Sequence, residues 1–431
     1  MVYLPHWPIP ATLGNKKINY ATVFARMLPV LQKLGNPHQK LPPVIHIAGT
    51  NGKGSISALL AKIFQVAGYK TSVYISPHLL HCNERIVLNG QIISDGNLYE
   101  VLEETRLASQ EHQFTFMESF TMASFLAFSQ SNSDILIVEC GMGGRIDATN
   151  IIEKKLATVI SSISLDHQEY LGNTLLEIAL QKACIARTNT PLIIAKQDDL
   201  TINLAINEVA TQLQSITYFY EQDFFIEINN SGSFDFYWQN ENLLPNLPQP
   251  NLLGKHQYFN FSAALACIMA ISHDFYFTYQ HLAKAIATVF WPARLQKLNN
   301  HWLKLLPQNS QLWFDGAHNV GGALALADWL ACQNSFSNTQ KFVICGFSKN
   351  KCRPDFLLAF SQFNLMAVTV GKEPYPESSQ VITSIGRKHN LTITDANNLL
   401  DALNIIGKQT QPCLVVICGS LHFALELSFQ S

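Results

Sequence analysis

Short apolar runs alternate with helical patterns over the first half of the chain. The apolar runs are rich in β-branched residues and are PVIHIAG (43–49), TSVYIS (71–76), DILIVECG (134–141), ATVISSIS (157–164) and PLIIAK (191–196). Runs that are apolar at nearly every position are typical of strands in a parallel sheet covered on both faces. Helical patterns lie between them over 55–67, which opens after Gly54 and closes at Gly68, and over 118–130. This alternation predicts an α/β domain.

The pattern changes over 214–250. Aromatic residues there alternate with polar ones and are interrupted by the polar segment NNSGS (229–233), which predicts a small antiparallel set of hairpins attached to the first domain. A helix is predicted around 257–271. A second series of strands and helices follows, with strands predicted at LWFDGAH (312–318), KFVICGF (341–347), LMAVTV (365–370), LTITD (391–395) and CLVVICG (413–419).

The length of 431 residues exceeds what one ordinary hydrophobic core supports, so we expect two domains. We place the boundary near 290–296 and predict domains that span 1–292 and 293–431. The predicted fold class is α/β. The first domain is a P-loop-type, mostly parallel sheet with a small antiparallel sheet, and it is followed by a smaller Rossmann-like α/β domain.

Composition argues against several classes of protein. Lys and Arg number 29 against 31 Asp and Glu, whereas a nucleic-acid-binding protein usually carries a strongly basic surface. The nine cysteines are scattered and form no C-x-x-C pair, so we expect buried free thiols in a reducing compartment rather than a disulfide framework or a zinc site. The N-terminus does not resemble a signal peptide, and no run of about 18 apolar residues could span a bilayer. We therefore expect a soluble, cytoplasmic protein without a membrane partner.

The segment IHIAGTNGKGS (45–55) places a glycine-rich turn between a predicted strand and a predicted helix. Glycines let backbone amides approach phosphate oxygens, the helix N-terminus adds its positive end, and Lys53 supplies a mobile charge. Ser55 can cap the helix or approach a metal ion. The spacing departs from the generic Walker A motif because Gly54 separates Lys53 from Ser55. A glycine pair beside a lysine is often only a turn, but its position here favours nucleotide binding.

Polar residues follow three further predicted strands, where ligands gather in open α/β sheets. They lie in the segments ISPHLLHCNERI (75–86), VECGMGGRIDATN (138–150) and SISLDHQEYLG (162–172). A lone histidine or lysine at such a place is usually a solvated or structural residue. Glu139 is harder to dismiss, because a carboxylate that ends the apolar run DILIV would otherwise be a costly buried charge. Ser76 and Glu139 near Lys53 therefore form a candidate magnesium site, with His167 as an unusual additional ligand.

Taken together, these segments resemble the folylpolyglutamate synthase and dihydrofolate synthase family, a branch of the Mur ligase superfamily. The matching segments occur in the family's order and extend over most of the chain. They are LGNP (34–37), HIAGTNGKGS (46–55), SPHL (76–79), NERI (83–86), ECGMGGRIDATN (139–150), SLDHQEYLG (164–172), LGKHQYFN (253–260), WPARLQK (291–297), FDGAHN (314–319) and CGSL (418–421).

The resemblance implies an ATP-dependent amide ligase that adds L-glutamate to dihydropteroate and to folates through an acyl-phosphate intermediate, in tetrahydrofolate biosynthesis. It implies two Mg²⁺ ions with Ser76, Glu139 and His167 as ligands, and it assigns catalysis to Lys53, Lys182 and His167. Lys182 corresponds to a lysine that is carbamylated in the superfamily. The implied ATP site comprises Thr50, Asn51, Gly52, Lys53, Gly54, Ser55, Asn260, Arg294, Asp315 and His318, with Asn319 lining the same cleft.

On the acceptor side, the resemblance assigns the pterin contacts to Thr115, Phe116, Met117, Glu118, Ile146, Asp147 and Ala148. A flexible loop that carries Pro77 and His78 would cover the pterin. The domain 1–292 would then bind ATP and pterin, and the domain 293–431 would provide the glutamate side. This chemistry is physically reasonable, since a carboxylate is a poor electrophile until it is phosphorylated and domain closure positions the reactants. We expect only small-molecule partners (ATP, L-glutamate, and dihydropteroate or folates) and a monomeric protein.

Three departures from the family pattern bear on the acceptor and glutamate sites. Where bifunctional members carry a segment such as DLGLER, this chain has ATVFAR (21–26), which keeps only Arg26. Around the implied carbamylated lysine, Gln181 and Cys184 stand where many members have glutamate and glycine. The family's DKD loop in the second domain appears as NKC (350–352).

These features leave alternatives open. The SPHL and DATN segments favour a bifunctional dihydrofolate synthase/folylpolyglutamate synthase, whereas the ATVFAR segment weakens that interpretation. A monofunctional folylpolyglutamate synthase is the alternative within the ligase class. The sequences of the LGNP, SPHL and HQYFN segments are less typical of a peptidoglycan-type Mur ligase. A nucleotide-binding module without turnover is disfavoured, because such a module would not need Arg294 and Asp315 of the second domain as well as Lys53.

Overall fold

The computed structural model describes residues 22–109, 114–299, 301–333 and 340–427. The chain divides into two compact units. The first unit contains the described residues up to Asn251 together with Gln257–Val289, and the second contains Leu252–His256 and the described residues from Phe290 onward. Both units combine sheets with helices, which confirms the predicted α/β fold class.

The main sheet of the first unit has eight strands within the described residues. They are β1 (Val44–Ala48), β2 (Thr71–Tyr74), β3 (Ile86–Leu88), β4 (Gln91–Ile92), β5 (Ile135–Glu139), β6 (Ala157–Ile160), β7 (Pro191–Ile194) and β8 (Ile216–Phe219). Their order is β4-β3-β2-β5-β1-β6-β7-β8, and all neighbouring pairs from β2 to β8 are parallel. The short strands β3 and β4 pair antiparallel at one edge. Strands β1, β5 and β6 are buried along their whole length, which accounts for their apolar sequences.

The stretch 214–250 contains two different arrangements. β8 pairs in parallel with β7 at the edge of the main sheet, so the prediction of an antiparallel hairpin is wrong for its first part. Ile216 in β8 is 47% exposed whereas Phe219 is buried, and this half-buried edge strand shows the alternation that also typifies a hairpin. The later part forms the antiparallel sheet that was predicted, with the order β11-β10-β9. Its strands are β9 (Phe224–Ile228), β10 (Phe234–Trp238) and β11 (Glu241–Leu247).

Helices cover both faces of the main sheet. They are α1 (Val23–Lys33), α2 (Lys53–Val66), α3 (Asp95–Ser109), α4 (Phe116–Ser129), α5 (Gln168–Leu171), α6 (Leu175–Ala183), α7 (Leu200–Gln212), α8 (Lys255–Ala270) and α9 (Tyr279–Thr288), with short 3₁₀ helices at Pro37–Gln39, Cys82–Arg85 and Ala148–Ile151. One apolar cluster joins β2 and β5 to α1, α3 and α4, and it includes Met27 and Phe125. A second cluster joins β6 and β7 to α6 and α7 through residues such as Ile178 and Ile206.

The second unit is a smaller sheet with six strands among the described residues. They are β12 (Gln296–Leu298), β13 (Gln311–Phe314), β14 (Lys341–Cys345), β15 (Asn364–Val368), β16 (Ile393–Ala396) and β17 (Leu414–Cys418). The order is β12-β13-β17-β14-β15-β16, with only β12 antiparallel to its neighbour. The helices are α10 (Val320–Ala331), α11 (Pro354–Leu358), α12 (Ser379–Lys388), α13 (Leu399–Ile406) and α14 (Phe423–Glu426), with a 3₁₀ helix at His301–Leu305.

Two smaller findings complete the fold. All nine cysteines lie in the described ranges as free thiols, and six of them are buried, whereas Cys332 is exposed. None of the helices in the described part of the chain combines the length and apolarity needed to cross a membrane.

Candidate active site

The turn between β1 and α2 requires glycine at two positions. Gly49 has φ +140° and Gly52 has φ +91°, and both angles lie in the region that side chains disfavour. A Cβ on Gly49 would overlap the Ser161 hydroxyl, and a Cβ on Gly52 would overlap the side-chain oxygen of Asn260. The buried Asn260, predicted at the ATP site, therefore packs directly on this turn. The local sequence thus serves both backbone conformation and close approach.

Hydrogen bonds brace this turn against the segment that follows β6. The amides of Thr50 and Asn51 both donate to the carbonyl of Ser162, at 2.9 and 3.2 Å. The Thr50 hydroxyl donates to the Ser164 carbonyl at 3.1 Å, and the Asn51 amide group donates to the Ser164 hydroxyl at 2.9 Å. These contacts fix the turn before any ligand binds.

The N-terminus of α2 is open to an anion. α2 begins at Lys53, two residues before the predicted start, with Gly52 in the left-handed region as its N-cap. Gly52 has no side chain to cap the first-turn amides, and the buried hydroxyl of Ser55 has no hydrogen-bond partner. Unpaired amides and the positive end of a helix dipole favour phosphate at such a place.

Two lysines converge on the Gly49 carbonyl. Lys53 donates to it and to the Thr50 carbonyl, both at 3.1 Å, and Lys182 donates to the Gly49 carbonyl at 2.8 Å. The Lys53 ammonium also lies 4.0 Å from a carboxylate oxygen of Glu139 at the end of β5. Burial, together with the positive charge of Lys53, lowers the pKa of Lys182 to about 7. Lys182 therefore loses its proton far more readily than an ordinary lysine.

The three predicted metal ligands follow strands β2, β5 and β6 of the main sheet. β2 and β5 are neighbours, and β1 separates β5 from β6. Ser76 follows β2, Glu139 ends β5, and His167 lies beyond β6 at the start of α5. The Ser76 hydroxyl oxygen is buried and has no hydrogen-bond partner, and Glu139 is 4% exposed. A buried hydroxyl without a partner after β2 and a buried carboxylate at the end of the neighbouring strand β5 fit an oxygen-coordinated cation such as Mg²⁺.

The His167 side chain is 38% exposed and lies 3.9 Å from an oxygen of Asp166. Within the described ranges, no group of three His, Cys, Asp or Glu side chains forms a metal cluster. An ion held by Ser76, Glu139 and His167 would thus need further oxygen ligands from water or phosphate, as Mg²⁺ usually does.

Gly141 marks the place where predicted metal and pterin residues meet. A Cβ built on Gly141 would lie 2.9 Å from Met117 Cε, 3.5 Å from Asp147 Oδ2 and 3.6 Å from Ser76 Oγ. Ser76 was predicted as a metal ligand, whereas Met117 and Asp147 were predicted as pterin contacts. The structure brings these three side chains around one glycine.

The segment 115–118 forms the start of α4. The Thr115 hydroxyl accepts from the Glu118 amide at 3.1 Å, and the Glu118 carboxylate accepts from the Thr115 amide at 2.8 Å, which is a capping box. Glu118 is buried and also forms an ion pair with Arg26, the residue kept from the altered ATVFAR segment. Phe116 stacks on Phe120 at 5.3 Å between ring centroids.

The second predicted pterin segment surrounds Asp147. Ile146 is half-buried, while Asp147 and Ala148 are buried. Asp147 caps the 3₁₀ helix at Ala148–Ile151 by accepting from the Thr149 amide at 2.9 Å. Its other oxygen accepts from the Met142 amide at 2.9 Å.

Two residues of the NERI segment, Glu84 and Arg85, hold the loop that carries His78. The sequence analysis predicted no role for either residue. The Glu84 carboxylate accepts from the amides of Leu79, Leu80 and His81 at 2.6 to 3.0 Å. The buried Arg85 donates to Nδ1 of His78 at 2.8 Å. The loop, predicted as flexible, therefore has fixed contacts at both its histidine and its backbone. Glu84 and Arg85 gave no signal beyond their place in a matching segment.

The second unit brings together Arg294, Asp315 and His318, which were predicted at the ATP site. Both oxygens of Asp315 accept backbone amides at 2.8 Å, one from Leu295 and one from Ala317. Nδ1 of His318 lies 2.9 Å from the Gly316 carbonyl. A Cβ on Gly316 would lie 2.7 Å from the Arg294 guanidinium.

Backbone strain surrounds Arg294. Ala293 and Leu295 have φ +56° and +42°, a conformation that is unfavourable for residues with a Cβ. The Asp315 carboxylate holds Leu295 in this conformation by accepting a hydrogen bond from the Leu295 backbone amide. The sequence analysis assigned no role to His256, which belongs to the same unit. The pKa of His256 is lowered, mainly by burial; the charge of Asp315 opposes this shift and that of Arg294 adds to it. Strain of this kind is typical of functional sites.

Comparison with known proteins identifies similar chains over most of this length. The Mur ligase middle domain family matches residues 47–268. A dihydrofolate synthase/folylpolyglutamate synthase of Buchnera aphidicola is 30% identical over 305 residues, which cover 71% of this chain and 68% of that protein. A probable dihydrofolate synthetase of Schizosaccharomyces pombe is 29% identical over 414 residues, 92% and 95% of the two chains. The structure of Escherichia coli FolC in complex with DHPP and ADP superposes with a TM-score of 0.82 at 24% identity, covering 95% of both chains, and shows the same fold.

Proposed function

This chain belongs to the folylpolyglutamate synthase and dihydrofolate synthase family of the Mur ligases, and we propose that it is an ATP-dependent ligase that adds L-glutamate to dihydropteroate and to folates. One observation carries the proposal. The Lys53–Glu139 pair, at 4.0 Å, lies at the end of the phosphate-binding turn, where Gly49 also receives the buried Lys182 amine. This arrangement supports phosphoryl transfer rather than nucleotide binding alone.

The first unit supplies the groups for phosphate binding. The N-terminus of α2 and Lys53 would hold the phosphates of ATP, with Thr50 and Asn51 keeping the turn in place and Asn260 packed on Gly52. Ser76, Glu139 and His167 would hold Mg²⁺. When bound, Mg²⁺ neutralises negative charge on the phosphates and so lowers the barrier to phosphoryl transfer.

The proposed reaction has two steps. A carboxylate oxygen of the acceptor attacks the γ-phosphorus of ATP, which forms an acyl phosphate and releases ADP. The amine of L-glutamate then attacks the acyl carbon, and the tetrahedral intermediate collapses to the amide as inorganic phosphate leaves and a proton is lost from nitrogen. Lys53 would follow the charge on the transferred phosphoryl group, because its ammonium already lies between the phosphate-binding turn and Glu139.

Lys182 is proposed to act as its carbamate. Carbamate formation needs a neutral amine, which attacks CO₂ and loses a proton. The pKa of about 7 gives Lys182 a substantial neutral fraction at physiological pH, which an ordinary lysine lacks. The product is an anion next to Lys53, so carbamylation would add an attraction between opposite charges.

The acceptor side is proposed to lie around Gly141. The pterin would contact the segments 115–118 and 146–148, and His78 would approach it from its anchored loop. The Arg26–Glu118 ion pair supports this assignment, because it ties the only retained residue of the altered segment to the proposed pterin contacts.

The second unit is proposed to bind L-glutamate, as the domain prediction 293–431 implies. Arg294, Asp315 and His318 would contact ATP. Two observations support a functional role for this segment. Backbone amides donate hydrogen bonds to both oxygens of Asp315, and the residues on both sides of Arg294 have a strained backbone.

The test is the release of ADP that depends on both acceptor and L-glutamate. We expect wild-type turnover to require all three substrates and Lys53→Ala to lower kcat by about 10²- to 10³-fold, the usual effect of removing one electrostatic group from a reacting centre. Lys70→Ala is the matched control, because Lys70 is exposed and precedes the N-terminal end of β2, whereas the candidate site lies at the C-terminal ends of the strands. Acceptor-dependent ADP release that persists in Lys53→Ala would contradict the catalytic assignment.

A further inference from the structure

A buried polar network lies behind the Asp147 carboxylate. The Thr149 hydroxyl hydrogen-bonds to Asp147 Oδ1, and it lies 2.8 Å from Nε2 of His46 on β1. The same nitrogen lies 3.0 Å from the thiol of Cys140, which follows β5. His46 and Thr149 are fully buried, so water does not supply alternative partners for them.

Counting protons assigns the direction of each bond. The Thr149 hydroxyl has one proton, and its close contact with a carboxylate, which can only accept, commits that proton to Asp147. The Thr149 oxygen can then only accept from His46, which places the ring proton on Nε2. Nδ1 of His46 has no hydrogen-bond partner, which agrees with a nitrogen that carries no proton. The chain of donors therefore runs from His46 through Thr149 to Asp147.

The surroundings keep this direction stable. Burial lowers the pKa of His46 far below its usual value, and the charges of Lys155 and Arg187 lower it further. Neutral His46 with its proton on Nε2 is the state in which the Thr149 oxygen receives a donor.

The Asp147 carboxylate depends on this support. Among the described residues, no lysine or arginine forms an ion pair with it. Its charge is met by two backbone amides and the Thr149 hydroxyl. Its Oδ2 points toward Gly141, beside Met117 and Ser76. A rotation of the carboxylate would thus change the surface offered to an acceptor.

We propose that Thr149 and His46 are positioning residues that hold the Asp147 carboxylate toward the acceptor heterocycle. This inference rests on the function proposed above, in which Asp147 contacts the pterin. Neither residue would touch a substrate. Both act through the orientation of one carboxylate, so their loss should affect acceptor binding and not ATP binding.

The experiment compares Thr149→Val with Thr149→Ser. Valine keeps the shape of threonine without the hydroxyl, whereas serine keeps the hydroxyl. We expect Thr149→Val to raise the KM for dihydropteroate by about 10- to 100-fold, the effect of losing a hydrogen bond to a charged group, and to leave the KM for ATP unchanged. Thr149→Ser should keep the KM for dihydropteroate in the wild-type range.

A second pair keeps the test open if Thr149→Val does not fold. The amide group of His46→Gln can replace the donor at Nε2, whereas His46→Met cannot, so the KM for dihydropteroate should rise more in the methionine variant. An unchanged acceptor KM in Thr149→Val overturns the proposal, as do equal losses in the valine and serine variants. A parallel rise of both KM values with a lower melting temperature would show a merely structural role and would also overturn it. Failure of the proposed function would look different, because wild-type protein would then release no acceptor-dependent ADP.

Discussion

Replacing Lys182 with methionine tests the electrostatics of the site quantitatively. The Lys182 side chain is buried, and its amine donates to the Gly49 carbonyl at 2.8 Å. Burial and the charge of Lys53 lower its pKa from 10.5 to about 7. Methionine has a similar length and carries no titrating proton, so the variant isolates the contribution of this amine.

The magnitude follows from the difference between the two pKa values. Because the pKa of Lys182 is lower in the folded chain, the unfolded chain binds more protons between about pH 7 and pH 10.5. The contribution of Lys182 to the free energy of unfolding therefore rises with pH through this window, and it is lost as the pH falls to about 7. The slope approaches about 1.4 kcal/mol per pH unit, and the whole difference is about 5 kcal/mol.

Urea unfolding in CO₂-free buffer measures this effect. Between about pH 7.5 and about pH 9, the free energy of unfolding of wild type minus that of Lys182→Met should rise by about 2 kcal/mol. Lys155, whose pKa is also lowered by burial, is present in both proteins and cancels in the difference. The exposed Lys70→Met is the control and should give no such trend. A difference that stays flat with pH would refute the reasoning, because Lys182 would then remain protonated in the folded chain.

Bicarbonate extends the same measurement to the carbamate. A carbamate that forms only on folded Lys182 should raise the free energy of unfolding of wild type and leave Lys182→Met unchanged, because a ligand that binds only the folded state stabilises it. Equal responses of both proteins would contradict carbamylation at this residue.

Two further substitutions test the phosphate-binding turn and the metal site. Gly52→Ala should lose stability and ATP affinity, because its Cβ would overlap the Asn260 side chain. Gly68 has a similar φ of +94° but open space around it, so Gly68→Ala should lower the free energy of unfolding by only about 1 to 2 kcal/mol. Equal losses of stability in the two variants, with a normal KM for ATP in Gly52→Ala, would contradict the packing argument. Ser76→Ala should raise the Mg²⁺ concentration needed for half-maximal activity by about tenfold. It should not lower the melting temperature, since the buried Ser76 hydroxyl has no hydrogen-bond partner to lose. An unchanged Mg²⁺ requirement would contradict the assignment of Ser76 as a ligand.

The strands of the parallel sheets were predictable because their burial leaves a direct signal. β1, β5 and β17 are buried at every position and read as unbroken apolar runs in the sequence. β8 was assigned to the wrong sheet, because a half-exposed edge strand has the same alternation as a hairpin strand. The strands β3, β4 and β12 have only two or three residues each, too few to show any periodicity.

The candidate site was predictable only in part, for a related reason. The turn around Lys53 is local, so its glycines and helix start can be read from eleven consecutive residues (45–55). The bonds from His46 to Thr149 and from Arg26 to Glu118 join residues that are 103 and 92 positions apart, and no local pattern marks them. The sequence therefore indicated the residues predicted to face ligands more readily than the residues that hold those side chains in place.

The central claim is ATP-dependent addition of glutamate to folate-type acceptors. Its most direct test is the incorporation of radiolabelled L-glutamate, measured with dihydropteroate and with tetrahydrofolate as separate acceptors and with ATP and Mg²⁺ present. The account predicts incorporation into both acceptors and none when ATP is omitted. Incorporation into tetrahydrofolate alone would reduce the proposal to a monofunctional folylpolyglutamate synthase. Incorporation into neither acceptor would contradict it.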